Sequence, residues 1–359
     1  MTELNDLPIR ESLKGRTPYG APQLHVPVAL NVNENTHEIS EDILIDIISR
    51  LAQSLREINR YPDREFTALR ELLANYLGHS LTAENLWAAN GSNEVLQQMF
   101  MAFGGPGRTV LSFTPTYSMY SLIAQSTDTK YIEVERENRY ELSVDFVVAA
   151  IKKHKPDIVL ICSPNNPTGT PVELAVIEAA YDASEGVLVI DEAYAEFSLN
   201  ENSALSLLPG RERLLISRTM SKAFSFAGAR VGYLAADPAV CDAMRLVRLP
   251  YHLSALTQAA AEAALSHSPR MLATVSDIRD QRDRLYVALQ DLGLDPYRSD
   301  ANFILVGGIS NPEKTWQDLL DRGILVRNVG IPNTLRITAG TEAETTAVIE
   351  AISEILASK

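Results

Sequence analysis

Residues 217–232 read S-R-T-M-S-K-A-F-S-F-A-G-A-R-V-G and hold one lysine, Lys222, among small and apolar side chains. Hydroxyls precede it at Ser217, Thr219 and Ser221, and Arg230 follows eight positions later. Desolvation disfavours an ammonium, so a lysine in this setting gives up its proton more readily than one in water. A neutral amine attacks carbonyls and forms a Schiff base, and hydroxyls with an arginine suit a phosphate. The stretch therefore reads as a site for a ligand that carries both an aldehyde and a phosphate, as pyridoxal phosphate (PLP) does. It reads equally as a partly buried lysine paired with a carboxylate. On this stretch alone both readings stay open.

The surrounding chain supplies elements to position such a site. Between residues 85 and 240, short apolar runs alternate with helical patterns: N-L-W-A-A-N, T-V-L-S-F, D-I-V-L-I-C, V-L-V-I-D, L-L-I-S-R and V-G-Y-L-A-A. Continuous β-branched runs of this kind indicate strands buried on both faces, in a parallel sheet wrapped by helices. Ligands of such folds sit at the carboxyl ends of the strands, and polar clusters fall there. G-S-N-E at 91–94 follows the first run, P-N-N-P-T-G at 164–169 the third, D-E-A-Y at 191–194 the fourth and the lysine stretch the fifth.

Each cluster has a chemical and a plain reading. Asp191 ends an apolar strand, where a carboxylate is costly unless paired. A pyridine nitrogen would be such a partner, and the carboxylate would keep it protonated; otherwise Asp191 caps the next helix. Asn166 and Tyr194 can donate to a phenolate oxygen, although S-P-N-N-P-T-G is also an ordinary turn composition. Ser92 and Asn93 open a helix whose N-terminus suits a phosphate, or simply caps. Tyr117 can stack on a ring or fill core.

Elsewhere, residues 1–40 form an extended arm with one short strand near 26–30. A helix opens after Ser40 with Ile43, Ile47, Ile48 and Leu51 on one face, and Pro62 marks a turn. A second helix spans 67–77 and stops at Gly78. Residues 255–292 read as one or two long helices. Strands at A-N-F-I-L-V and G-I-L-V-R flank a helix at 312–322, L-R-I-T-A follows as a third strand, and a last helix covers 341–356. These elements form an α+β layer apart from the wound sheet, and the chain passes between the two within a helix.

Bulk properties narrow the partners. At 359 residues, two domains are expected. The net charge of −14 leaves no basic face for nucleic acid or an anionic membrane. Cys162 and Cys241 stand alone and the six histidines do not cluster, so neither a disulfide framework nor a metal site is expected. The acidic N-terminus M-T-E-L-N-D-L-P has no apolar signal core, and no apolar run approaches the ~18–20 residues that span a bilayer. A cytoplasmic protein is expected.

S-P-N-N-P-T-G, D-E-A-Y and S-K-A-F-S-F-A-G-A-R, in this order and spacing, resemble the fold-type-I PLP aminotransferases of the aspartate-aminotransferase-like superfamily, over nearly the whole chain. Within it, the arm T-P-Y-G, L-N-V-N-E-N, the turn Y-P-D and L-R-I-T-A-G are similar to the histidinol-phosphate aminotransferase family. The resemblance implies an α/β fold: a large domain with a mostly parallel seven-stranded sheet between helices (41–250), a smaller α+β domain (251–359) and an N-terminal arm (1–40).

It also implies roles. Lys222 bonds the coenzyme aldehyde and moves the proton. Asp191 pairs the pyridine nitrogen, Asn166 and Tyr194 bind the ring oxygen, and Tyr117 stacks on the ring. Ser92, Asn93, Thr219, Ser221 and Arg230 hold the phosphate, and Tyr61 reaches it from the neighbouring subunit of a homodimer. Arg336 clamps a carboxylate, while Arg327, Tyr251, Asn33 and Tyr19 from the partner's arm line the substrate pocket. His252 departs from the pattern and receives no role. The implied reaction joins histidinol phosphate and 2-oxoglutarate to imidazole-acetol phosphate and glutamate. Alternatives on the same fold are an aromatic amino acid aminotransferase and a decarboxylase of a phosphorylated amino acid. A PLP-binding transcription regulator would need a DNA-binding module of some ~60–70 residues that this chain does not hold.

Overall fold

The computed structural model describes residues 6–15, 20–199 and 202–358. In chain order the elements begin with β1 (Val28–Ala29), α1 (Glu41–Leu55) and α2 (Thr67–Leu77). The wound part comes next: β2 (Leu86–Asn90), α3 (Ser92–Phe103), β3 (Thr109–Thr114), α4 (Met119–Ser126), β4 (Lys130–Glu135), α5 (Val144–His154), β5 (Ile158–Cys162), α6 (Leu174–Ala183), β6 (Val187–Asp191), β7 (Leu214–Thr219) and β8 (Val231–Ala236). Then come α7 (Pro238–Val247), α8 (Ala255–Ser266), α9 (Ser268–Met271), α10 (Thr274–Asp291), β9 (Asp295–Pro296), β10 (Phe303–Gly307), α11 (Pro312–Leu320), β11 (Ile324–Leu325), β12 (Leu335–Thr338) and α12 (Glu342–Ala357).

Among the described residues seven strands form one sheet in the order β2-β8-β7-β6-β5-β3-β4. β3 to β7 pair in parallel, while β8 lies antiparallel between β2 and β7. Two antiparallel steps restore the direction, so β2 ends at the same edge as β3, β5, β6 and β7. The segment between β7 and β8 leaves and re-enters the sheet at that edge, and it carries Lys222. β5, β6, β7 and β8 are buried at every position, because helices cover both faces.

The structure differs from the sequence reading in three places. β4 was absent from the expected runs: K-Y-I-E-V-E alternates exposed and half-buried residues at the sheet edge, and only one neighbour covers it. Ile48 is exposed, unlike Ile43 and Ile47, because α1 packs chiefly on α8 and its Leu44–Ile45–Ile48 stripe points away. The G-I-L-V-R strand does not join the other two. β11 pairs instead with β1 of the arm, and β10 pairs antiparallel with β12 and β9.

Among the described residues there are two apolar cores. The first surrounds the large sheet and takes in α8 and, from α10, Val275 and Ile278. The second joins Leu285 and Leu289 of α10 to β10, β12, α12 and Leu30 of the arm. The packing thus changes core within α10.

Candidate active site

Five strand ends and the arm converge on a cavity of about 540 Å³. Lys222 lines it, and its Nζ donates to the Val32 carbonyl at 2.8 Å. Among the described residues no carboxylate pairs with it, so the ion-pair reading is not met. Desolvation brings its pKa down to about 8, and Arg336 pushes the same way while Glu34 opposes. The amine is therefore poised to lose its proton near neutral pH.

Asp191 enters from the end of β6 and is 2% exposed. Tyr120 donates to its Oδ2 at 2.7 Å and the Ala193 N–H approaches Oδ1 at 3.3 Å. Burial raises its pKa to about 6 against the pull of those bonds. Among the described residues no cationic side chain faces it, which leaves a buried carboxylate suited to an incoming cation.

Tyr194 is tied into the arm and the second core. Its hydroxyl accepts from Asn33 Nδ2 at 2.9 Å and Asn166 Nδ2 at 3.3 Å, so its own proton is available to donate. Burial pushes its pKa well up. Arg336 on β12 donates from Nη1 to Asn166 Oδ1 at 2.6 Å and from Nη2 to the Asn31 carbonyl at 2.7 Å. Asn33, with φ of 57°, is held in turn by Thr338, whose hydroxyl donates to its Oδ1 at 3.1 Å. Arg327 lines the cavity beside Arg336, and the two backbones pair with each other across an isolated bridge. No described carboxylate pairs with the Arg327 side chain, so a surface salt bridge is not what it makes.

At the other end, Ser92 and Asn93 begin α3, and as its first two residues their N–H groups have no helical acceptors. Thr219 Oγ lies 2.9 Å from Ser221 Oγ, and Arg230 Nη1 reaches Ser221 Oγ at 3.4 Å. A Cβ on Gly91 (φ of 84°) would run into the Arg230 guanidinium, and one on Gly232 into the backbone of Gly91 and Ser92. Bare backbone at both positions leaves a concave cradle of donors, which suits a phosphate. Tyr117 stands over the cavity with its hydroxyl 3.3 Å from Asn93 Oδ1 and its ring edge-on to Tyr120.

Of the residues expected at the site, Asn33, Ser92, Asn93, Tyr117, Asn166, Asp191, Tyr194, Thr219, Ser221, Lys222, Arg230, Arg327 and Arg336 all line this cavity. Tyr19 lies outside the described residues. Tyr251, expected at the substrate pocket, does not line this chain's own cavity. It stacks on Tyr61, centroids 4.4 Å apart, and Tyr61 is 79% exposed. The loop after α7 carries Tyr251 outwards rather than inwards. Ser217 is buried away from the cavity and its hydroxyl finds no described partner.

Sequence reasoning missed Tyr120, although its place three residues after Tyr117 on α4 is a signal for a shared face. It also missed Arg136, a buried guanidinium that among the described residues donates to carbonyls: Phe113 at 3.1 Å, Tyr140 at 3.1 Å and Cys162 at 3.3 Å. Burial lowers its pKa to about 10, and its fork ties together the ends of β3 and β5. His252, left without a role, sets its Nε2 2.9 Å from the Ala88 carbonyl and its ring flat on Trp87. Among the described residues no His/Cys/Asp/Glu group could hold a metal ion, and no helix is long and apolar enough to cross a membrane.

A free amine, an unpaired buried carboxylate, two hydroxyl and amide donors and a phosphate cradle, all in one cavity, match the aldehyde, ring nitrogen, ring oxygen and phosphate of PLP. The family model for aminotransferase class I and II matches residues 26–352. A histidinol-phosphate aminotransferase of Paenarthrobacter aurescens is 56% identical, across 99% of this chain and 97% of that protein. One from Thermobifida fusca is 50% identical, across 97% and 95%. Among solved structures, the histidinol-phosphate aminotransferase of Sinorhizobium meliloti in complex with pyridoxal-5'-phosphate has a TM-score of 0.84 at 24% identity, covering 93% of this chain and 92% of that one. That last likeness is one of fold.

Proposed function

Because this chain belongs to the class I and II aminotransferases, we propose that it moves an amino group from glutamate to imidazole-acetol phosphate, forming histidinol phosphate and 2-oxoglutarate, with PLP as coenzyme. The reaction belongs to histidine biosynthesis. The observation that carries the reading is Lys222 and Asp191 facing one cavity, each without a charged partner among the described residues.

When bound, PLP supplies an electron sink for the substrate carbon that carries the amino group. The chain does the rest. Lys222 Nζ, already shifted towards the neutral form, would take the proton from that carbon and deliver it to the coenzyme's aldehyde carbon, and would run the same transfer in reverse in the other half-reaction. Asp191, oriented by Tyr120, would hold the pyridine nitrogen in its charged form. Tyr194, with both Asn33 and Asn166 donating to it, would have its own proton free for the ring oxygen. Tyr117 would pack on the ring, and Ser92, Asn93, Thr219, Ser221 and Arg230 would anchor the phosphate.

The substrate end is built from Arg336 and Arg327 on paired backbones. A planar guanidinium grips a carboxylate in a fork, which serves glutamate at Arg336. Arg327 beside it supplies the second cation for the phosphate of histidinol phosphate or the side-chain carboxylate of glutamate. We further infer that the active unit is a homodimer. Tyr61 and Tyr251 sit outside this chain's cavity with open faces, and Leu44, Ile45 and Ile48 of α1 form an exposed apolar stripe, as a subunit contact requires. Tyr61 then serves the phosphate of the neighbouring subunit.

Turnover of histidinol phosphate and of phenylalanine, each with 2-oxoglutarate, tests the substrate. The expected result is a clear preference for histidinol phosphate. A preference for phenylalanine would move the chain to the aromatic aminotransferases, and release of carbon dioxide from a phosphorylated amino acid offered separately would make it a decarboxylase.

A further inference from the structure

We propose that His252 is a positioning residue for the phosphate end of the site: it fixes the strand end that opens on the Gly91–Ser92 cradle and, through its neighbour, the Tyr61–Tyr251 pair. The proposal rests on the coenzyme reading above.

The imidazole is wedged among aromatic rings. It stacks on Trp87 with centroids 5.6 Å apart and planes 9° from parallel, and it meets Phe66 edge-on at 5.6 Å. Trp87 and Phe66 are buried, so the ring has little room to shift. Its Nε2 faces the Ala88 carbonyl at 2.9 Å, which requires the proton on Nε2. Nδ1 is buried and has no described hydrogen-bond partner. The residue's own carbonyl accepts from Asn90 Nδ2 at 2.8 Å. Side chain and backbone of one residue thus hold Ala88 and Asn90, both on β2.

Asn90 is the last residue before the cradle. Its N–H is held by Glu94 Oε2 at 2.8 Å, on the first turn of α3. Beyond it the packing has no slack. Gly91 lies against the Arg230 guanidinium and Gly232 against the Gly91 and Ser92 backbone, both too close to admit a methyl group. A displacement of β2 by a few tenths of an ångström therefore changes where the Ser92 and Asn93 amides point relative to Arg230. On the other side, Tyr251 has φ of 61°, a conformation a tyrosine adopts only when its surroundings hold it there. The anchored residue next to it is His252, and the Tyr251 ring so placed is the one stacked on Tyr61.

A residue that acts on the phosphate end alone separates two ligands that differ only in the phosphate. The full-length chain stripped of coenzyme is titrated with PLP and with pyridoxal, by the absorbance of the bound form. In His252→Ala the affinity for PLP falls roughly tenfold, the size of one lost buried hydrogen bond, while that for pyridoxal holds. His252→Phe keeps the stack on Trp87 and loses the bond to Ala88. It shows the same selective loss and carries the test if the alanine variant does not fold, as judged by circular dichroism and melting temperature. An equal loss for both ligands, or no loss for either, overturns the proposal.

Discussion

Lys222 shows how burial alone changes what a side chain can do. The amine donates to a carbonyl rather than a carboxylate, so only that bond and the more distant charge of Glu34 offset the cost of keeping its charge away from water. Its pKa near 8 fixes the sign of a pH effect. Below pH 8 the ammonium dominates and cannot attack an aldehyde, whereas above it the neutral amine prevails. Capture of PLP by the coenzyme-free chain should therefore accelerate as pH rises through about 8 and then level off, as followed by stopped-flow absorbance. Lys222→Ala should lose both that absorbance and transamination. A pH-independent rate, or normal turnover in the variant, would remove Lys222 from its proposed role. The sequence made Lys222 legible through its small, apolar neighbours. It left Val32, which accepts its hydrogen bond, out of reach, because a main-chain carbonyl 190 residues away carries no residue-type signal.

At the scale of elements, the alternation of faces along two adjacent strands sorts the polar residues. Asp191 points into the cavity, and Glu192 points to the other side of the sheet. There Arg218 of β7 donates to Glu192 Oε2 from Nη2 at 2.7 Å and from Nε at 3.0 Å, with Glu196 3.4 Å from Nη1. Ser203 and the Ala204 N–H complete Glu192 at 2.8 and 2.7 Å. The pair locks β6 to β7, and with them Asp191 to the lysine segment. Arg218→Ala would leave two buried carboxyls without a cation, so a loss of about 3–5 kcal/mol is expected in urea unfolding. Burial already raises the pKa of Glu196, so the loss should shrink towards acid pH, where the Glu196 carboxyl protonates. A loss that is small at neutral pH would show that the pair does not hold the strands. Elements with a strong local signature were legible. α2 ends at Gly78, whose φ of 68° suits glycine, and α12 opens with Thr341 and Glu344 capping each other. β4 was not legible, because half-exposed edge residues read like a charged loop.

For the whole molecule, the proposed homodimer predicts a behaviour that no single chain can show. Lys222→Ala removes the amine of its own site, and Tyr61→Ala removes a side chain that serves the neighbour's. If the two weak variants are mixed and allowed to exchange subunits, half of the sites in each mixed dimer combine an intact Lys222 with an intact Tyr61. Activity per subunit should then exceed the average of the separate variants, whereas strictly additive activity would place Tyr61 in its own subunit's site. By itself the sequence determined six of the seven strands of the large sheet and the order of polar clusters at their ends, Lys222, Asp191, Asn166 and Tyr194 among them. These come from local runs, turns and alternation, which operate over a few residues. Only the tertiary structure decided what closes the site. The arm lays Val32 and Asn33 over Lys222 and Tyr194, Arg336 crosses from the second core to Asn166, Tyr120 meets Asp191, and Tyr251 turns outwards to Tyr61. Each of those contacts depends on how two cores dock and which way a side chain faces when they do, and neither is written in the spacing of nearby residues.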